Sequence, residues 1–427
     1  MGEARSRVPA GNFDPRGLVR FRFLSGLAIW FGACAILPAQ AQNAPGVTDT
    51  EIKIGQTMPY SGPATAFSTV GKGQVGFFKK LNDEGGINGR KINLISLDDG
   101  YVPPRTLEQT RKLVEQDGVA FIFSTLGTAP NAAIQRYLNS KKIPQLFIAA
   151  GAFRFGNYKE YRWTLSGMAT TLRSEARVYA RYILKEKPQA KIAILYQNDD
   201  YGRAYVAGVK DVLGASYADR VSEASYELSD ATVDSQIVSL QATGADALIV
   251  AATPKFAAQT IRKVYDIGWK PTVILSNVSV WVSTVIEPAG VNKAIGVLSS
   301  AYMKDPSDPS WDSDPDVIAW KTWMKKYVPD ADLRDQSYIN GYNNALALVQ
   351  VLKQAGNDLS RDNIMKQALN LRNLQLPMML PGVTANTSPT HYYPIENMQM
   401  MRWDGKQWVR FGGLLSGAEH AAESGGQ

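Results

Sequence analysis

Paired carboxylates, a glycine-spaced segment and one loop of small hydroxyl residues are the features of this sequence that could do chemistry. Asp98-Asp99 and Asp199-Asp200 each follow an apolar run, where adjacent acids could divide general acid and base roles. The same placement suits a plainer task, capping the next helix or bonding loop backbone. Gly71-Lys72-Gly73-Gln74-Val75-Gly76 matches GxGxxG, with Asp98 and Asp99 near the spacing at which a dinucleotide fold places its ribose-binding acid. However, residues 59–70 separate the first glycine from the preceding strand, and Lys72 crowds the phosphate side. These glycines are therefore expected to let a helix start close to a sheet. No Walker A spacing and no GxSxG elbow occurs. The two histidines, His391 and His420, lie late in the chain, so neither a Ser-His-Asp triad nor a histidine metal site can be assembled from the body of the sequence. The one cysteine, Cys34, lies near the start, which leaves no disulfide, thiolate metal site or cysteine nucleophile downstream.

The hydroxyl loop lies in VAFIFSTLGTAPN, residues 119–131: an apolar run of strand length, then small residues and a glycine, then an amphipathic helix expected over 132–141. A helix's first turn has backbone N–H groups with no internal partner and carries about half a positive charge. Leu126, Gly127 and Thr128 could thus hold a carboxylate. The alternative is a tight turn that merely packs helix on sheet. Phe67, Tyr201 and Tyr342 fall at loops or helix starts, placed either to touch a ligand or to fill a core.

The elements that must position these residues alternate regularly. Strands are expected at 52–58, 91–97, 119–123 and 143–150, with helices at 71–82, 107–115 and 132–141 between them. After 162–167 the plan repeats, with helices at 172–185, 202–213, 233–242 and 256–265 and strands at 191–196, 221–228, 247–252 and 272–275. Strand–helix alternation with short loops argues for an α/β fold with parallel, doubly wound sheets. A further stretch at 295–302, helices at 317–327, 338–354 and 361–369, and short strands at 399–403 and 408–411 are too few to form a third sheet. They are expected to complete the earlier two.

With 427 residues, 45% hydrophobic and 20% charged, the chain can bury a large core. Its net charge is +7, of which +3 belongs to the first 41 residues. The rest is scattered among acids without a basic run, which argues against nucleic acid as a partner. Arginines before the apolar stretch 23–37, and Ala39-Gln40-Ala41 after it, read as a secretory signal peptide over 1–41, cleaved after Ala41. An uncleaved anchor and lipidation at Cys34 are the alternatives. Residues 416–427 are expected to be a disordered tail.

Taken together, EIKIGQTMPYSGP, NDEGGINGRKINLISLDD, the LGTAPN loop, KIAILYQNDDYGRAYVAGVKD and GADALIVAATPKFAAQTIRK resemble the periplasmic solute-binding proteins of ABC transporters, Leu/Ile/Val-binding group. The resemblance implies a type I periplasmic-binding fold: two Rossmann-like lobes joined by three hinge crossovers, closing on a ligand, with no catalysis and no cofactor. Lobe 1 is expected at 48–165 plus 298–378 and lobe 2 at 166–297 plus 379–415, with hinges at 162–167, 295–302 and 376–383. By similarity, Thr125, Leu126, Gly127 and Thr128, with Ala149, Ala150 and Gly151, grip a carboxylate. Phe67 covers the ligand, and Tyr201, Thr253 and Tyr342 wall it in. The implied partners are a small-molecule ligand and an inner-membrane ABC permease, for a monomer in the periplasm. A ligand-sensing receptor domain is the alternative class, and a dehydrogenase built on the glycine spacing a third.

One position departs from the pattern. Amino-acid binders of the family carry an acid for the ligand's ammonium where this chain has Asn277. Either Asp199 or Asp200 replaces it, or the ligand is a branched or aromatic acid without an amine. The loss of a charge-assisted hydrogen bond, about 1.5–3 kcal/mol, would weaken an amino acid about 10- to 100-fold.

Overall fold

The computed structural model describes residues 43–418. The expected signal peptide, Cys34 and His420 lie outside that range. Two mostly parallel sheets organise the described chain. The first contains β1 (Glu51–Met58), β2 (Lys91–Asp98), β3 (Ile122–Phe123), β4 (Gln145–Ile148) and β5 (Thr164–Ser166), in the order β2-β1-β3-β4-β5. The second contains β6 (Ile192–Gln197), β7 (Val221–Tyr226), β8 (Ala247–Ala251), β9 (Thr272–Leu275), β10 (Leu298–Ala301), β11 (Asn397–Trp403) and β12 (Trp408–Ser416). Its order is β12-β11-β10-β9-β8-β6-β7, and its last two strands run antiparallel to their neighbours.

The inner strands β6, β8 and β9 read as near-continuous apolar runs because both of their faces are covered, whereas the edge strand β7, VSEASY, is polar. In the second sheet the side chains alternate between two cores. Ile192, Ile194, Ile249 and Ile274 face one, while Leu195, Leu248, Val250 and Leu275 face the other. In the first sheet Ile122 joins Ile134 and Leu138 on one side, and its neighbour Phe123 joins Phe78 and Leu348 on the other.

The glycine-spaced segment lies inside the helix Ser68–Asp83 and contributes close packing. A Cβ on Gly71 would meet Met58 and Tyr60 at the sheet, and one on Gly73 would meet Tyr338 of the helix Ser337–Ala355. The expected approach to the sheet is present at Gly71, and the helix contact at Gly73 is added to it.

The chain passes between the halves three times. After β5 it enters the helix Leu172–Glu186, which packs in the core of the second sheet. It returns after β10, which pairs with β9 and β11 and so belongs to the second sheet, whereas the sequence places 298–301 in the first half. Met379, Leu380, Val383, Tyr392 and Ile395 are buried in the core of the first sheet. The third crossing therefore lies beyond Ile395 rather than at 376–383, because the extended segment closes over the helices of the first half before it leaves them. Thr170 and Ile395 form a parallel bridge, which sets the first and third crossings side by side. Residues 416–418, expected to belong to a disordered tail, are ordered parts of the fold, while 419–427 lie outside the described residues. Ser416 ends β12, and the carbonyl of Gly417 accepts a hydrogen bond from Arg177 Nη1 at 3.2 Å.

Candidate functional site

Between the two halves lies a cavity of about 90 Å³. From the first half its wall includes Phe67, Val70, Tyr101, Leu126, Gly127, Thr128, Ala149, Ala150 and Gly151. From the second come Tyr201, Thr253, Asn277, Val278 and Trp281, and the crossings add residues 167–170 and Tyr302.

The hydroxyl loop reaches the cavity in a braced form. β3 is only two residues long, and the helix begins at Thr128, four residues earlier than the apolar periodicity implies. Its N-cap, Gly127, has φ 98°, a left-handed conformation that favours glycine, and a Cβ there would overlap the ring of Tyr101. Asn131, one turn into the helix, donates through Nδ2 to the carbonyls of Thr125 and Gly127, both at 2.7 Å. Gln145 Nε2 in turn donates to Asn131 Oδ1 at 2.8 Å. These bonds fix the backbone of the loop at the cavity edge, and the Gly127 N–H itself donates to the carbonyl of Ala149 at 3.2 Å. Ala149 lends its N–H to the carbonyl of Thr125 at 3.0 Å, whereas the N–H groups of Ala150 and Gly151 have no acceptor among the described residues.

Ten of the twelve expected site residues line the cavity: Phe67, Leu126, Gly127, Thr128, Ala149, Ala150, Gly151, Tyr201, Thr253 and Asn277. Thr125 and Tyr342 do not, and their placement is corrected. Thr125 is buried one residue too early in the loop, and its Oγ1 accepts the N–H of Thr57 at 3.4 Å. Tyr342 points from its helix into the first half, with ring centroids 4.9 Å from Trp323 and 5.4 Å from Phe77. The face of that helix turned to the cavity carries Asn340 and Asn344 instead, one turn apart. Asn344 Nδ2 donates to Ser124 Oγ at 2.9 Å, and its Oδ1 accepts the N–H of Met168 at 2.8 Å, tying the loop after β3 to the first crossing.

Three aromatic residues of the wall go unrecognised in the sequence. Tyr101 stands after Asp98-Asp99 and extends from the first half to the Gln197 side chain, with its phenol also on the backbone N–H of Thr128. Trp281 meets Phe67 edge-on across the halves, with ring centroids 5.2 Å apart. Tyr302 donates to Asn340 Oδ1 at 3.0 Å. Asn340 and Asn344, one turn apart in the N-terminal half of the helix Ser337–Ala355, are the signal available for this surface, shared there with the buried Asn343. Nothing local marks Trp281.

The acidic pairs have other work. Asp99 Oδ1 accepts the N–H of Tyr101 at 2.9 Å, and Asp98 Oδ2 meets Arg105 at 3.1 Å. Asp199 caps the helix Asp200–Leu213 through the N–H groups of Tyr201 and Gly202, and burial raises its pKa. Asp200 pairs with Arg154 at 2.7 Å. Neither lines the cavity. A different acid stands behind Asn277. Glu175 Oε1 accepts the Asn277 N–H at 2.8 Å and the Tyr179 phenol, and burial pushes its pKa up from 4.5 to about 7. Among the described residues no group of acidic, histidine and cysteine side chains could hold a metal ion.

The periplasmic binding protein family profile matches residues 51–407. A Leu/Ile/Val-binding protein homolog 7 from Brucella abortus is 23% identical over 258 residues, which span 57% of this chain and 62% of that relative's length. Two solved structures share the fold. A branched chain amino acid ABC transporter from Thermus thermophilus with bound valine has TM-score 0.77 at 16% identity, over 87% of this chain and 98% of that one. A fatty acid ABC transporter substrate-binding protein from Thermomonospora curvata has TM-score 0.73 at 20% identity, over 89% and 96%. The chain belongs to the periplasmic binding protein family, whose members bind a solute and do not transform it, and it has the type I fold of that family.

Proposed function

We propose that the protein is the substrate-binding component of an ABC transporter, capturing a small carboxylate-bearing ligand between its halves and delivering it to an inner-membrane permease. The observation that carries this reading is the convergence of a braced helix start, Gly127-Thr128, and the N–H groups of Ala150 and Gly151 on a cavity that both halves wall. The ten expected residues that line the cavity are its ligand contacts. Valine and fatty acids, named for two structural relatives, are both carboxylates.

Lobe 1 would comprise residues 43–166 and 302–395, and lobe 2 residues 167–301 and 396–416. Ligand held by lobe 1 gains the contacts of Tyr201, Thr253, Asn277 and Trp281 only on closure. Binding thereby shifts an open–closed equilibrium by the free energy of those contacts. The protein acts as a periplasmic monomer after cleavage at Ala41. Native mass spectrometry of protein purified without refolding should reveal a bound small acid, and small-angle scattering should show compaction when it is restored to stripped protein. An unchanged radius at saturation would sink the closure mechanism.

A further inference from the structure

Carboxylate capture accounts for one end of the ligand; the chemistry of the other end is inferred here from the cavity wall and rests on that proposed function. The cavity wall contains no Asp, Glu, Lys, Arg or His side chain. Its polar groups are hydroxyls and amides, and its body is Phe67, Val70, Leu126, Val278 and Trp281. The acids of the two pairs that the sequence offers are turned to other partners. Asp199 is spent on a helix cap, Asp200 on Arg154, and Asp99 on Tyr101 and Thr106.

Glu175 is the most informative case. It lies on the second-half helix Leu172–Glu186, fully buried and outside the wall. Asn277 is the wall residue in front of it, holding Glu175 Oε1 through its backbone N–H at 2.8 Å and Thr170 Oγ1 through its side-chain Nδ2 at 3.0 Å. The second oxygen, Oε2, is buried with no partner among the described residues. The groups acting on the carboxyl are Tyr179 on its own helix, Tyr205 on the helix Asp200–Leu213 and the Asn277 backbone, with no cation among them. A buried carboxyl in such surroundings favours its neutral form, and the group that the ligand meets in front of it is a neutral amide.

We propose that the cavity takes a carboxylic acid that carries no ammonium: an apolar or aromatic body bearing at most a neutral hydrogen-bonding group toward Asn277. An ammonium enclosed here would lose its hydration without gaining a charged partner. The same wall satisfies a hydroxyl or leaves a methyl in apolar contact.

Matched pairs that differ only by the amine test this: leucine against 4-methylpentanoate, phenylalanine against 3-phenylpropanoate, and tyrosine against 3-(4-hydroxyphenyl)propanoate. Each is titrated calorimetrically into the processed full-length chain stripped of ligand. The amine-free member of at least one pair should bind at least about tenfold tighter than its amino acid. Asn277→Asp should narrow that ratio by placing an acid in the wall, while Glu175→Gln should leave it unchanged. Tighter or equal binding of the amino acids overturns the inference but leaves carboxylate capture intact. Loss of amino-acid binding in Glu175→Gln would then identify Glu175 as the amine's partner. If no member of any pair binds, carboxylate capture fails and the inference with it. A thermal melt of each variant separates lost affinity from lost folding.

Discussion

Arg154 Nη1 lies 2.7 Å from Asp200 Oδ2, so the segment after β4 in the first half is ion-paired to the first turn of a helix in the second. Both side chains are more than a third exposed, and such a pair contributes about 0.2–1 kcal/mol. It also holds Asp200 away from the cavity. Asp200→Asn is expected to weaken ligand binding by no more than about fivefold and to lessen its dependence on salt between 50 and about 500 mM. Calorimetric titration across that range checks both effects. A loss of several orders of magnitude would instead place Asp200 in contact with ligand.

Gly127 is held at φ 98° against the Tyr101 ring. Gly127→Ala should cost about 1–3 kcal/mol in backbone strain, added to the displacement of Tyr101. The expected result is a lowered melting temperature together with lost binding. Adding Tyr101→Ala should restore part of the melting temperature, because the overlap is removed while the strain remains.

Phe67 and Trp281 form the apolar contact between the halves, with Trp281 only 2% exposed. Trp281→Ala should weaken ligand binding by about 2 kcal/mol, or about 30-fold, without lowering the melting temperature of the ligand-free protein to the same degree. Phe67→Ala should do the same, and the double variant should fall short of the sum because each ring loses the other.

Glu175 fixes a pH dependence. Its pKa stands at about 7 in the folded protein and 4.5 otherwise, so between those values the unfolded chain releases a proton that the folded chain keeps. Stability is therefore lost as pH rises through that window, by on the order of 3 kcal/mol for a group this buried. Glu175→Gln removes the ionisation while keeping an acceptor for Asn277. The melting temperature of the variant relative to the parent should climb from pH 4.5 to 7 and level off above. A difference that is flat with pH would contradict this account.

The parts of this molecule legible in its sequence are those governed by local pattern. Runs such as Ile192–Gln197 and Ala247–Ala251 are apolar on both faces and bounded by helices, which leaves a parallel, covered strand as the economical reading. Gly127 marks a tight turn between strand and helix in the sequence, but that turn reads equally as plain packing until the structure sets it at the cavity wall. Tyr342 and Trp281 mark the limit. Whether an aromatic residue on a helix faces a cavity or a core depends on the helix's rotation, and Tyr342 turns toward Trp323 while Asn340 and Asn344 take the open side. Trp281 acquires its role only because a segment 214 positions earlier brings Phe67 to it. Asn277 is visible in the sequence as the place of a missing acid, yet Glu175 behind it can be found only in three dimensions.

The late third crossing has a consequence for assembly order. β10 has β9 on one side and β11 on the other, and β11 is 96 positions further along the chain. Until residues 397–416 emerge, the second sheet ends in an unpaired edge of the kind that recruits other chains. The final hairpin is thus the chain's own closing strand pair, and a truncation before Asn397 would leave a protein with its cavity residues in place and an open, aggregation-prone flank.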